Sequence, residues 1–367
     1  MSKKILAVAA IGSLGLSLVA HADTQVTENT TVGGRGFIDI TNIDASKYNS
    51  SGVSTKDAAN GIGADVTRFY LIADHTFDSM WSANLTTDFN YVSNSSKVAV
   101  DGSGNVTQTG YTGETQIFIK KAYLQAKFGD GLFVRAGAAD TTWIPFDEAT
   151  YGYRYVEKVI VDRLGYGTSS DWGLHAGGKL AGGTFGYAAS LVEGNGYKNP
   201  TRSKSLDIEG RVNWSPVKDL VLAAGFYSGK LGKDVEGATT PTHHTYSRFD
   251  ALAAYTISQV KFGAEYFSAD DKGVTNTTSD KADGFSVFAN WQFSPQAAAF
   301  VRYDDSSVQA NTLVSAKAKD QYYNIGVACK VRKGVELAAA YKHDEVKTGS
   351  AKTSDRDEVG VWAQVSF

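Results

Sequence analysis

The stretch Trp81–Tyr91, WSANLTTDFNY, follows a rule that recurs through most of the chain. Its odd-numbered positions are mostly apolar, whereas its even-numbered positions are polar. Because successive side chains of a β-strand point to opposite faces, this alternation predicts a strand with one apolar and one polar face. The stretch is also about as long as a tilted strand that crosses a bilayer, which needs roughly nine to eleven residues.

Sixteen segments of the chain follow this alternation. They begin near residues 32, 65, 81, 117, 132, 172, 184, 205, 220, 246, 260, 284, 297, 321, 335 and 357. Short connectors rich in turn-forming residues alternate with long polar connectors. The long connectors lie roughly at 42–63, 92–114, 139–170, 194–204, 229–244, 268–282, 305–319 and 345–356. This pattern predicts an all-β fold, a transmembrane antiparallel β-barrel of 16 strands with short periplasmic turns and long extracellular loops.

Aromatic side chains gather near the predicted strand ends, as they do at the two membrane interfaces of a barrel. The middles of the strands carry small residues such as Ala83 and Ala251, which argues against the core of a soluble β-protein. The predicted aromatic girdle comprises Phe77, Trp81, Trp214, Trp291 and Phe293 near the short turns and Tyr91, Tyr266, Tyr303 and Tyr341 near the long loops.

The N-terminus has the pattern of a secretory signal peptide. Lys3 and Lys4 precede a short apolar run, and the small residues around His21 fit a cleavage site after Ala22. We therefore expect residues 1–22 to be a signal peptide and residues 23–367 to form a single barrel domain that is exported to the outer membrane.

The composition argues against several other classes of protein. One cysteine, Cys329, permits no internal disulfide. A formal net charge of -3 gives no support for a nucleic-acid partner, which prefers a basic stripe. The histidines lack metal-ligand spacing, the glycine-rich stretches lack the Lys-Ser/Thr of a phosphate-binding loop, and no Ser–His–acid arrangement stands out by spacing. We therefore expect no metal, no cofactor, no catalytic residue and no enzymatic activity.

Three patches resemble a known family. The last strand, DEVGVWAQVSF at 357–367, alternates up to a terminal Phe367 and resembles the C-terminal signature of Gram-negative porins, which their assembly machinery is understood to read. The stretch VGGRGFIDIT at 32–41 resembles the first strand of these proteins. The stretch VRAGAADTTWIPFDEATYGYRYVEK at 134–158 resembles a strand-and-loop region of the phosphate-selective porin O and P family.

The resemblance implies a sixteen-stranded, water-filled homotrimer in the outer membrane of a Gram-negative cell. It also implies contacts with outer-membrane lipid, lipopolysaccharide and the outer-membrane assembly machinery, with Phe367 as the assembly signal. Small hydrophilic solutes or ions would be the cargo. A phosphate-selective pore would carry excess Arg and Lys on its inward positions, but the inward acids and bases of this sequence nearly balance.

The segment Thr141–Gly167 departs from the alternation and has few of the Gly, Ser and Asn residues of an exposed loop. Its many aromatic and branched side chains need a wall to pack against. In porins the third long loop folds into the barrel, so the resemblance implies the same here. The predicted pore constriction combines Arg154, Lys158, Arg163, Asp147, Glu148 and Asp162 of this loop with Arg135 and Lys127 of the wall. Arg154 and Lys158 are expected at the narrowest point, where rings of charge select ions.

Several functions remain open at this stage. A passive diffusion channel for small hydrophilic solutes and ions fits the wide lumen that 16 strands enclose. A solute-selective channel for phosphate, other anions or sugars is the alternative. A barrel-type outer-membrane enzyme would need a nucleophile and a histidine at one rim, and a plugged structural barrel would need more residues than precede the first strand.

Overall fold

The computed structural model describes residues 24–57, 59–90, 97–100, 106–109, 116–236, 245–272, 279–309 and 317–367. Within them, 16 strands form one closed antiparallel barrel, which confirms the predicted fold. The strands are β1 Thr30–Tyr48, β2 Gly61–Thr76, β3 Trp81–Asn90, β4 Gln116–Lys127, β5 Phe133–Asp140, β6 Ser170–Leu180, β7 Phe185–Val192, β8 Asp207–Trp214, β9 Leu220–Gly229, β10 Thr245–Ile257, β11 Val260–Lys272, β12 Ser279–Trp291, β13 Ala297–Gln309, β14 Ala318–Arg332, β15 Val335–Thr348 and β16 Ala351–Ser366. The predicted signal peptide, 1–22, and Tyr91 of the predicted girdle lie outside the described residues.

A few short elements accompany the barrel. The strands Thr24–Thr27 and Ser54–Lys56 pair with β1, and Lys97–Val100 pairs with Val106–Thr109 in a separate two-stranded ribbon. Two helices lie between β5 and β6, and the 3₁₀ turn Ala181–Gly183 joins β6 to β7. None of the described helices has the length and apolar character needed to span a membrane.

The two ends of the chain close the barrel. β16 pairs with β1 along a register that includes Arg35 opposite Ser366. One step further, Gly34 and Phe367 exchange backbone hydrogen bonds with N–O distances of 2.8 and 3.1 Å. A closed sheet has no unpaired edge, which is the condition for a β-structure within lipid. The last residue of the chain is therefore part of the seam.

The alternation separates a lipid-facing surface from a polar lumen. Large apolar side chains such as Leu71, Leu85 and Ile117 are exposed on the outer face. Of the predicted girdle, Phe77, Trp81, Trp214, Trp291, Phe293 and Tyr266 are exposed, whereas Tyr303 and Tyr341 are partly buried. The girdle remains a prediction, and the exposed aromatic residues occupy the strand ends that it requires.

Short turns of two to five residues join the strands at one end of the barrel, as predicted. One predicted long loop is wrong. Residues 345–356 are not a loop, because β15 and β16 stay paired up to Thr348 opposite Ala351. Gly349, with φ 62°, and the residue after it form the turn. The alternation fades here because a strand that rises above the membrane has water on both faces, and its polar residues then resemble a loop.

Candidate pore constriction

The third loop leaves the wall early. β5 and β6 have only 8 and 11 residues, so residues 141–169 start from within the barrel rather than from its rim. Helix α1, Ile144–Tyr151, has Pro145 in its first turn and ends at Gly152, whose φ of 93° suits a residue without a side chain. The short helix α2, Ile160–Arg163, follows.

Aromatic packing holds this loop against the lumen wall, which confirms that it folds inward. Tyr153 stacks on Phe300 of β13, with ring centroids 4.2 Å apart. Tyr151 meets Phe288 of β12 edge-on at 5.4 Å, and Tyr155 lies 6.4 Å from the ring of Phe37 on β1. The aromatic residues that set this segment apart in the sequence thus bury themselves against the barrel.

Donors on the wall also bind the backbone carbonyls of the loop. A carbonyl inside a barrel needs a hydrogen-bond partner just as it does in any protein interior. Six side chains from β8 to β15 supply one: Arg211 to Thr142 O, Lys261 to Thr150 O, Asn290 to Tyr151 O, Lys342 to Val156 O, Arg302 to Lys158 O and Arg248 to Tyr166 O, at 2.5 to 3.2 Å. Five of these are cations, so much of the basic charge of the lumen holds the loop in place.

Acids of the wall complete the attachment. Glu209 accepts from the backbone N–H of Thr142 at 2.9 Å, and Glu265 accepts from Nε1 of Trp143 at 3.2 Å. On β15, Glu336 accepts from the hydroxyl of Tyr155 at 2.9 Å. The loop is therefore fixed at both ends and along its length.

Asp147, one of the predicted pore charges, faces the wall instead. Its side chain belongs to α1 and is 1% exposed. Burial, reinforced by the negative charge of Glu265, raises the pKa of Asp147 well above its usual value. A carboxyl in this position favours the protonated form and adds little charge to the pore.

Arg163 is also an anchor. It donates to Asp320 at 2.6 Å, and it lies 3.3 Å from Asp304 and 3.6 Å from Asp344. Its side chain is 10% exposed. Three carboxylates on three adjacent strands thus fix the end of α2 to the wall.

Four of the predicted charges do come together on one edge of the loop. Arg154 is ion-paired with Glu148 and lies 3.5 Å from Asp162. Lys158 also lies 3.5 Å from Asp162 and, with 37% of its side chain exposed, is the most accessible of the four. Burial alone would raise the pKa of the neighbouring Glu157, but the positive charges of Lys342 and Arg302 outweigh it and lower the pKa to about 2. This acid is therefore ionised at any physiological pH.

The wall opposite this edge contains a basic group that the sequence prediction did not include. The pairing of β3 with β4 passes from Thr86 opposite Lys121 to Thr87 opposite Ile119, which leaves Lys120 as the extra residue of a β-bulge. A bulge changes the face of the sheet to which the following side chains point. Ile119 still faces lipid, and both lysines turn to the lumen. Two consecutive lysines in an alternating strand were the signal that could have revealed it.

The two predicted wall residues lie at other levels. Arg135 donates to Gln125 at 2.8 Å, and its guanidinium lies over the rings of Tyr123 and Phe133 at 4.7 and 4.4 Å. Lys127 ends β4 and is paired with Asp130 in the adjacent short turn at 3.1 Å. Both belong to the short-turn end of β4 and β5, away from the charged edge of the loop.

A family model of Gram-negative porins matches residues 6–349. The chain therefore belongs to the Gram-negative porins. It is a channel protein of the cell outer membrane that passes small solutes, and this family is one of channels rather than of enzymes. The resemblance to the phosphate-selective branch remains a prediction. No protein with a curated description matches the sequence.

Solved structures of outer-membrane channels share the fold. An anion-selective porin from Comamonas acidovorans is 14% identical, with a TM-score of 0.58 over 92% of this chain and 100% of that one. The outer membrane channel DcaP of Acinetobacter baumannii is 13% identical, with a TM-score of 0.58 over 92% and 98%. OmpF of Salmonella typhi, in complex with daunomycin, is 12% identical, with a TM-score of 0.59 over 93% and 99%. At these identities the likeness concerns the fold alone.

Proposed function

We propose that small hydrophilic solutes and ions diffuse passively through a gap between the charged edge of the third loop and the wall formed by β2 to β4. The supporting observation is the one-sided attachment of the loop. Its carbonyls are bound by strands β8 to β15, so the opposite side of the lumen is left for passage. Glu148 on the loop acts on the charge of Lys120 on β4, so the two sides of the gap lie within electrostatic range.

The charges around this gap favour anions. The cations are Arg68, Lys120, Lys121, Arg154, Lys158 and Lys198, and the acids are Asp88, Asp140, Glu148, Glu157 and Asp162, which leaves a small positive excess. A net positive potential in a narrow aqueous passage raises the local concentration of anions. We therefore propose a weakly anion-preferring diffusion channel, with selectivity for one solute as the alternative.

Planar-bilayer recordings in a salt gradient test this proposal. The purified protein should insert with stepwise conductance. In the double variant Arg154→Gln/Lys158→Gln, Glu148 and Asp162 lose their partners, so the zero-current potential should move toward cations. We expect the cation-to-anion permeability ratio to rise at least about twofold, since charges this close interact by several times thermal energy.

The variant Lys330→Gln/Lys333→Gln is the matched control, because it removes two positive charges from the short-turn end of β14 and the turn after it. Its shift should be clearly smaller. An equal shift in both variants would mean that the charges act through the overall field of the barrel rather than at a constriction. Closed insertion without current would reject passive diffusion.

We also propose that the chain is exported through its signal peptide and inserted as a homotrimer by the outer-membrane assembly machinery. Phe367, at the seam, would be the residue that this machinery recognises. The exposed aromatic residues would contact outer-membrane lipid and lipopolysaccharide. We propose no enzymatic activity, cofactor, metal or nucleic-acid partner.

A further inference from the structure

We propose that the wall of the constriction contains a binding site for small organic carboxylates with a flat apolar body, centred on Lys120 and Tyr70. This inference deepens the proposed function and rests on it, because the site lines the gap through which solutes would pass. It names one class of anion that the channel would hold on its way.

Two donors converge at this point. Nζ of Lys120 donates to the hydroxyl oxygen of Tyr70 at 3.3 Å. In the part of the chain that the structure describes, no carboxylate lies within 4.0 Å of that ammonium, which therefore retains further N–H donors. The hydroxyl of Tyr70 accepts from Lys120, so its own hydrogen can be given to another acceptor. An oxyanion placed between them would receive one charged and one neutral hydrogen bond.

The neighbouring acids are already engaged. Asp88 is fully buried, accepts from the hydroxyl of Tyr197 at 2.6 Å and lies 3.6 Å from Arg68. Lys121, next to Lys120, is paired with Asp140 at 2.6 Å. Among the described residues, the bulge therefore presents one lysine with a carboxylate partner, Lys121, and one without, Lys120.

Aromatic rings surround the same point. The ammonium of Lys120 lies 4.6 Å from the ring centroid of Tyr70 and 5.8 Å from that of Tyr197. Lys198, on the loop after β7, lies 5.8 Å from the Tyr197 centroid and 4.9 Å from that of Phe118. The two ammonium groups are thus no more than about 12 Å apart, on a shared aromatic surface. Burial lowers the pKa of Lys198, and the charges of Arg68, Lys158 and Lys120 lower it further, against the opposing charge of Asp88.

This chemistry favours a flat carboxylate over inorganic phosphate. Phosphate is recognised best by several charge-assisted donors, above all by the forked guanidinium of arginine. Here the two nearby guanidinium groups face acids, Arg68 towards Asp88 and Arg154 towards Glu148, so a lysine and a tyrosine remain. They match one carboxylate, and the rings of Tyr70, Tyr197 and Phe118 offer apolar contact to the body that carries it.

Block of the chloride current in planar bilayers tests the site, with sodium benzoate, sodium acetate and sodium phosphate as probes at pH 7.5. We expect benzoate to block at lower concentration than either of the others. Lys120→Gln should raise the half-blocking concentration of benzoate at least about tenfold, and Tyr70→Phe, which removes only the hydroxyl, about tenfold. Lys330→Gln, which removes the same charge from β14, should leave the value within about twofold.

Each other outcome rejects the site. Equal block by acetate and benzoate would mean that charge alone acts, and stronger block by phosphate would assign a different ligand. An unchanged half-blocking concentration of benzoate in Lys120→Gln would show that Lys120 is not part of a binding site. Stepwise conductance that benzoate does not block would support the proposed channel and reject the binding site. If the folded protein conducts no current, the proposed function fails, and calorimetric titration of the detergent-solubilised protein with benzoate still decides whether the site exists.

Discussion

At the scale of single residues, neighbours in the third loop have opposite roles. Asp147 and Glu148 are adjacent in α1, yet the first is buried against Glu265 and the second faces the gap beside Arg154. Sequence reasoning identified both as pore charges because a helix of eight residues carries too little pattern to reveal which side packs on the wall. Which side of α1 packs on the wall depends on where Trp143 contacts the barrel. That contact, with Glu265, is between residues far apart in the sequence.

The raised pKa of Asp147 gives a prediction with a definite sign. A carboxyl whose pKa is higher in the folded than in the unfolded state lowers the free energy of unfolding as the pH rises. At high pH the folded protein must either keep this proton or bury a charge, and both cost free energy. Asp147→Asn removes this cost and should stabilise the protein by about 1–3 kcal/mol at pH 7.5. The gain should shrink toward pH 4, where about half of the carboxyl groups are protonated in the unfolded chain as well.

Urea unfolding followed by tryptophan fluorescence at both pH values measures this difference. Glu148→Gln is the matched control, because it changes the same type of group one residue away, on the side of α1 that faces the gap. A gain that is equal at pH 4 and pH 7.5 would show that the carboxyl of Asp147 is ionised without penalty.

At the scale of elements, the alternation predicted the strands with their approximate starts, because lipid on one face and water on the other impose a period of two. The alternation failed as a guide in two places, where strands extend beyond the membrane and where a bulge interrupts a strand. Above the membrane, β15 and β16 continue in water, and Lys352 pairs with Glu345 and Asp355 where a loop was expected. At Lys120 a bulge interrupts the period, and no rule of alternation locates a bulge in advance.

The attachment of the third loop to the wall gives a prediction for an element. Arg302 is 1% exposed and donates both to Lys158 O at 2.5 Å and to Asp304 at 2.5 and 2.7 Å. Arg302→Met leaves a buried carboxylate short of a partner and a loop carbonyl without its donor. The expected loss is about 3–5 kcal/mol of stability. The freed loop should also increase the open-channel current noise.

The same recordings on Lys330→Met provide the comparison, since this lysine lies on the next strand, β14, and binds no loop carbonyl among the described residues. Steady current in Arg302→Met would mean that the aromatic packing of Tyr151 and Tyr153 holds the loop without this tether. Increased noise in both variants would trace the effect to the loss of charge.

At the scale of the whole molecule, the seam depends on a contact between the two ends of the chain. The ring of Phe367 occupies the space above Gly34, where an added Cβ would lie 2.5 Å from the ring, and it lies 6.2 Å from the ring of Phe69. The resemblance to porins singled out Phe367, but the sequence had no means of showing that a glycine near the other end makes room for it.

A double-mutant cycle tests this fit. Gly34→Ala should displace the ring and destabilise the barrel, and Phe367→Ala should cost about 1 kcal/mol, less than a fully buried ring, because Phe367 is 48% exposed. In Phe367→Ala the space above residue 34 is empty, so adding Gly34→Ala should cost less than in the wild type, with a coupling of about 1 kcal/mol. Urea unfolding in detergent measures all four proteins. Additive losses would mean that alanine is tolerated at position 34 whatever the ring does, and that the seam is held by its backbone hydrogen bonds alone.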